Sequence, residues 1–173
     1  MLPKLTLVLG GASSGKSTFA EGLASNSGRA LIYLATAEIH DDEMREKVRK
    51  HRKLRGSGWK TIEAPLDLAP ALSQATSEDV VLLDCATMWL SNHLLADHDL
   101  KSAETGLMAA LAASQAPVIV VSNEVGLSVV PENRLARRFQ NAQGRLNQTL
   151  AAQAGLVVNV IAGLPLVLKG ALP

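Results

Sequence analysis

Apolar residues along the chain gather in short dense runs that alternate with stretches of helix-forming composition. The runs predict strands at about Lys4 to Leu9, Ala30 to Thr36, Trp59 to Ala64, Val80 to Asp84, Ala116 to Ser122 and Leu156 to Ile161, with a short terminal strand after them. Between them the pattern predicts helices over Lys16 to Ser25, Pro65 to Ala75, Thr87 to Ala96, Ser102 to Ser114 and Arg134 to Ala154. Gly28 marks the exit of the first helix, and Gly144 is a weak point in the last. From Asp41 the run DDEMREKVRKHRKLR reads as a further helix, with acids at its start and bases at its end to suit the helix dipole. Strands alternating with helices give an α/β fold, a mainly parallel sheet flanked by helices on both faces, in a single domain over residues 1–173. Ligands of such sheets sit at the carboxyl ends of the strands, where Gly10, Thr36, Asp84 and Asn123 fall.

The first strand runs into GGASSGKS. Gly10 to Ser17 fits G-x-x-x-x-G-K-[ST], so the fold is P-loop NTPase-like: Gly10, Gly11, Ala12, Ser13, Ser14 and Gly15 wrap phosphates with backbone N–H groups, Lys16 reaches the β/γ-oxygens, and Ser17 meets Mg²⁺. The strand before the motif and the helix after it are the context that separates a nucleotide site from a glycine turn. Asp84 closes an apolar strand in the Walker-B manner and is the natural second Mg²⁺ residue; an ordinary strand-terminal Asp is the plainer alternative.

Charge then alters the picture locally. The 17 Lys and Arg nearly balance 16 Asp and Glu, so a net charge of +1 makes no case for nucleic acid binding across the whole surface. Eight of those 17 basic residues lie between Arg45 and Lys60, with His51 in their midst. A solvated helix face is the common meaning of such a run, yet the same cations could neutralise phosphate, and His51 could attack phosphorus as a neutral imidazole. His40, His93 and His98 lack the convergent spacing of a metal site. The loop and helix start NEVGLSVVPENRLARRF, Asn123 to Phe139, lie where substrate-binding loops occur. Cys85, the single cysteine, excludes an internal disulfide and reads as core. With no signal-peptide layout and no apolar run near the roughly 20 residues of a membrane helix, the expectation is a cytoplasmic protein without stable membrane insertion.

In this order, GGASSGKS, LATAEI, DDEMREKVRKHRKLR, LLDCATMWLSNHL, NEVGLSVVPENRLARRF and GRLNQTLA resemble the bifunctional adenosylcobinamide kinase/adenosylcobinamide-phosphate guanylyltransferases of cobalamin biosynthesis, over almost the full length. The resemblance implies phosphorylation of adenosylcobinamide with ATP or GTP, then transfer of GMP from GTP through a guanylylated His51. It also implies nucleotide contacts at Ala35, Thr36, Ala37, Arg52, Lys53, Leu54, Arg55, Glu63 and Asp84 beside the P-loop, and Mg²⁺ at Ser17 and Asp84. Its partners would be adenosylcobinamide, adenosylcobinamide phosphate and further copies of the chain, a trimer being the form to expect, without nucleic acid. Ser13 stands where the family commonly has arginine, so one cation is missing from this loop while Lys16 and the backbone cradle remain. Two other readings stay open: a P-loop small-molecule kinase without guanylyl transfer, and a GTP-binding regulatory module.

Overall fold

A computed structural model describes residues 1–38, 45–46, 49 and 58–173. Seven strands form one sheet in the order β3-β2-β4-β5-β1-β6-β7. They are β1 (Leu5–Gly10), β2 (Ala30–Ala35), β3 (Trp59–Glu63), β4 (Asp79–Asp84), β5 (Val118–Asn123), β6 (Leu156–Ile161) and β7 (Leu164–Lys169). All neighbours pair in parallel except β6 and β7, which form an antiparallel hairpin. The helices are α1 (Lys16–Ser25), α2 (Ala69–Gln74), α3 (Ala86–Leu95), α4 (Leu100–Ala113) and α5 (Arg134–Gln153). The expected helix from Asp41 lies largely outside the described residues, as do His51 and Arg52 to Arg55.

Strand alternation sorts the core into two layers. Val8, Val80, Leu82, Ile119, Val121 and Val158 face Ala20 and Ala24 of α1. On the opposite face Leu5, Leu7, Val81, Leu83, Val118 and Val120 meet α2 to α5 through Leu72, Trp89, Leu111, Leu146 and Leu150. Leu82 and Leu83, adjacent in sequence and both 0 % exposed, therefore seal opposite layers. Each contributes about 1.5–3 kcal/mol of burial, which is why the central strands read as unbroken apolar runs.

Several element ends differ from the sequence expectation for identifiable reasons. The helix expected from Pro65 begins only at Ala69. Pro65 and Leu66 have their carbonyls taken by side chains of α3, at 3.0 Å from Asn92 Nδ2 and 2.8 Å from Trp89 Nε1, so this stretch straps α3 instead of coiling. Asp99 starts α4 two residues early by accepting the Lys101 N–H at 3.1 Å. Asn133 caps α5 through the Leu135 and Ala136 N–H groups, and Gly144 leaves that helix unbroken. The terminal strand is β7, tied to the end of α5 by Lys169 Nζ, which donates to Ala151 O at 3.0 Å and Ala152 O at 2.9 Å.

The β6–β7 turn holds Ala162 at φ 53 and Gly163 at φ 79. Two successive positive φ angles define a turn that Asn-Gly fills best and that alanine adopts under strain. Ala162→Asn is therefore expected to raise stability by about 0.5–1 kcal/mol, read as a shift of the urea midpoint at unchanged slope.

Candidate active site

The sheet order puts the carboxyl end of β5 between those of β1 and β4, so one strand separates the P-loop from Asp84. Gly10 registers with Asn123, and Val121 registers with both Val8 and Asp84. Asp84 follows Leu82 by two residues and projects to the α1 face, the side of the helix that carries Ser17 in its first turn. Tyr33, from the neighbouring β2, donates its hydroxyl to Asp84 Oδ2 at 3.1 Å and orients the half-buried carboxylate.

Gly10 to Ser17 forms the cradle itself. Ser14 N–H donates to Gly11 O at 3.3 Å, and Gly15, at φ 92, turns the chain into α1. Lys16 Nζ donates to Gly11 O at 3.0 Å, so the ammonium lies across the loop that should receive phosphate. Ser13 is exposed at φ 55, and the buried Ser14 Oγ has no hydrogen-bond partner among the described residues. The loop is closely backed. Gly163 N–H donates to Ser14 O at 2.8 Å, and a Cβ on Gly15 would lie 3.1 Å from Gly163 Cα. The β6–β7 turn thus fixes the back of the cradle.

Thr36 is wholly buried, and its hydroxyl both donates to Cys85 O and accepts from Cys85 N, each at 2.8 Å. It pins the backbone just after Asp84, so its side chain supports the site without facing a ligand. Cys85 caps α3 by accepting the Met88 N–H at 3.4 Å. Burial pushes its thiol up to about 11, reinforced by the Asp84 carboxylate and opposed by Lys16 among others. It is a protonated core thiol at neutral pH, and the two charges that act on it are the Lys16 ammonium and the Asp84 carboxylate.

Hard oxygen donors at Ser17 and Asp84 suit Mg²⁺, which commonly takes one or two protein oxygens and completes its shell with substrate phosphate and water. Among the described residues no group of three or more His, Cys, Asp or Glu could hold a metal. Glu63 ends β3 at the far edge and is exposed. Four strand spacings separate it from β1, about 19 Å. Ala35 registers with both Glu63 and Asp84, and Ala37 follows Thr36 at the same sheet end. The structure therefore brings together Gly10 to Ser17, Thr36 and Asp84, and leaves Glu63 at the outer end of that row.

His93 and His98 lie apart from this site, with their Nδ1 atoms 3.0 Å apart in a hydrogen bond. Burial lowers the pKa of His93. Its folded-state value lies below its unfolded one, so its contribution to stability is complete above the unfolded pKa of about 6.5 and is lost as pH falls through the folded value. Acid titration of stability should thus show a decline beginning below about pH 6.5 that His93→Gln flattens.

The family of cobinamide kinase / cobinamide phosphate guanyltransferase, CobU, matches residues 6–168 of the chain. The chain belongs to this family. A bifunctional adenosylcobalamin biosynthesis protein, CobP of Pseudomonas aeruginosa, is 44% identical over 167 residues, covering 95% of this chain and 96% of its own. CobU of Escherichia coli is 39% identical and covers 95% of this chain and 99% of its own. Solved structures show the same fold at low identity. A Pyrococcus horikoshii protein, PH0250, has a TM-score of 0.58 at 7% identity, over 98% of this chain and 87% of its own. The flagellar accessory protein FlaH from Methanocaldococcus jannaschii has 0.52 at 14%, over 96% and 78%. As a CobU-family enzyme the chain is a cobinamide kinase and cobinamide-phosphate guanylyltransferase with a P-loop nucleotide fold. Among the described residues no helix is long and apolar enough to cross a membrane.

Sequence reading missed two groups that build this site. Tyr33 was hidden in an apolar run, although its alternation with Ala35 places it on a definite face. Gly163 was hidden because its effect on Ser14 depends on β6 lying beside β1.

Proposed function

We propose that one active centre at this sheet edge phosphorylates adenosylcobinamide with ATP or GTP and then transfers GMP from GTP through a guanylylated His51, giving adenosyl-GDP-cobinamide. The observation that carries the proposal is the joining of a complete P-loop to a half-buried Asp84 on the same face, in a chain whose basic segment around His51 lies within the span that the family matches. In the kinase step the N–H groups of Gly10 to Ser17 and the Lys16 ammonium would bind the phosphates and stabilise charge on the transferring group. Ser17 and Asp84 would hold Mg²⁺, which when bound neutralises phosphate charge.

In the second step His51 would attack the GTP α-phosphorus. The Pα–O bond to the β-phosphate breaks, pyrophosphate leaves, and a phosphoramidate remains. A phosphate oxygen of adenosylcobinamide phosphate then displaces the imidazole and recovers His51, so one hard transfer becomes two easier ones. Arg52, Lys53, Leu54 and Arg55 would flank the GTP. Ala35, Thr36, Ala37 and Glu63 would frame the β2–β3 side, with Thr36 acting through the Asp84–Cys85 backbone. A homo-oligomer, a trimer foremost, fits the apolar side chains exposed along the β7 edge, including Leu164 at 72% and Leu166 at 53%. A cytoplasmic location fits the use of ATP and GTP.

Incubation with GTP labelled at the α-phosphate tests the intermediate. The expected product after denaturation is one label per chain, lost in acid, kept in alkali and mapped to the peptide containing His51. Efficient guanylyl transfer without a protein-bound label, at any time after mixing, would overturn the covalent route.

A further inference from the structure

We propose that the cavity beside the start of the P-loop is the acceptor-alcohol site of the kinase reaction, and that Glu124 is its general base. The inference rests on the kinase activity of the family and adds the place and the residue. A cavity of about 330 Å³ is lined by Leu9, Glu124, Gly126, Leu127, Asn159 and Leu168. It adjoins the cradle directly: Glu124 N–H donates to Gly10 O at 3.0 Å, and Leu9 registers with Asn159 across β1 and β6. Its walls are mostly apolar, with one carboxylate and one carboxamide. That composition suits an alcohol carried on a large, partly apolar molecule.

The loop carrying Glu124 is held in place. Gln140 Nε2 donates to Val125 O at 3.0 Å and Ser128 Oγ at 3.1 Å, and Arg137 Nη1 donates to Pro131 O at 2.8 Å. Asn147 Nδ2 donates to Asn123 O at 3.1 Å, and Thr87 Oγ1 accepts the Asn123 N–H at 2.8 Å, which fixes the strand end before Glu124. This bracing leaves Leu127 and Val129 each 90% exposed and Val130 72% exposed, an unusual outlay of apolar surface beside a phosphate site. Glu124 itself is preset. Its Oε1 accepts the Gly126 N–H at 2.6 Å, and a Cβ on Gly126 would come within 2.9 Å of that oxygen. Oε2 has no hydrogen bond among the described residues and is available for a proton.

The step balances on the family substrates. The acceptor hydroxyl gives its proton to Glu124 Oε2 as its oxygen bonds to the γ-phosphorus. The bond from that phosphorus to the β,γ-bridging oxygen breaks, and nucleoside diphosphate leaves. The exposed Leu127, Val129 and Val130 provide apolar contact for the body of the cobinamide.

The test compares the two activities in one protein. Glu124→Gln is nearly isosteric and keeps an acceptor for the Gly126 N–H but cannot take the proton. The ratio of cobinamide phosphorylation to guanylyl transfer onto supplied adenosylcobinamide phosphate is expected to fall about 100-fold. Leu127→Ser, at a position exposed enough to leave folding intact, is expected to raise the KM for cobinamide several-fold while the KM for the nucleotide stays constant. A ratio within threefold of wild type, or a parallel fall of both activities, overturns the role of Glu124. An unchanged cobinamide KM in Leu127→Ser overturns the location. Wild-type protein that failed to phosphorylate cobinamide would instead refute the kinase reading beneath both.

Discussion

Replacing Lys16 with alanine should lower kcat/KM for cobinamide phosphorylation by about 10²- to 10³-fold, the usual loss when a cation aimed at developing phosphate charge is removed. The ammonium is already placed across the cradle, 3.0 Å from Gly11 O, so binding a nucleotide exchanges a carbonyl partner for phosphate oxygen with little movement of the loop. Lys16 is half-buried, outside the apolar layers of the sheet, so thermal unfolding should shift by no more than a few degrees. Steady-state kinetics together with a melting curve separate the two effects. A normal turnover number would remove Lys16 from the chemistry, and a collapsed melting temperature would make it a structural residue.

Gly10→Ala should be the more destabilising loop substitution despite adding only one methyl group. Its Cβ would meet the Ser14 Oγ and come within 2.7 Å of Val160 O. The hydroxyl can rotate away. The carbonyl cannot, because Val160 belongs to β6 and pairs directly with Gly10. The loop must therefore lift from the β6–β7 hairpin, straining the Gly163 N–H to Ser14 O bond that backs the cradle. Overpacking of this kind costs about 1–3 kcal/mol, and a displaced loop should weaken nucleotide binding by at least tenfold. Titration with a fluorescent GTP analogue reads the second effect and urea unfolding the first. Wild-type affinity in Gly10→Ala would show that the cradle tolerates displacement.

The contrast between these two residues explains what the chain discloses before folding. The placing of Lys16 is legible because it follows from an eight-residue motif bounded by a strand and a helix. The strands are legible because burial on both faces leaves near-continuous apolar runs such as VVLLD and VIVVS. Strand order is another matter. Nothing local tells β5 to lie between β1 and β4, and from that order follow the proximity of Asp84 to the P-loop, the backing of Gly15 by Gly163 and the cavity beside Glu124. The missed start of α2 has the same origin, since the carbonyls of Pro65 and Leu66 were claimed by side chains from residues 92 and 89, far along the sequence. Substrate identity came from the whole ordered set of motifs. The basic run alone left His51 beside the plainer reading of a solvated helix face; the role proposed for it came from the resemblance, and it lies outside the described residues.

In the proposed mechanism one nucleotide cradle serves two transfers that differ in the phosphorus attacked, with His51 needed for only one of them. The most direct measurement gives His51→Ala the substrate cobinamide with GTP labelled at either the γ- or the α-phosphate. The γ-label is expected to pass to cobinamide at close to the wild-type rate, while α-label in protein and product falls about 10⁴-fold or further. Transfer of α-label at the wild-type rate by His51→Ala would contradict it.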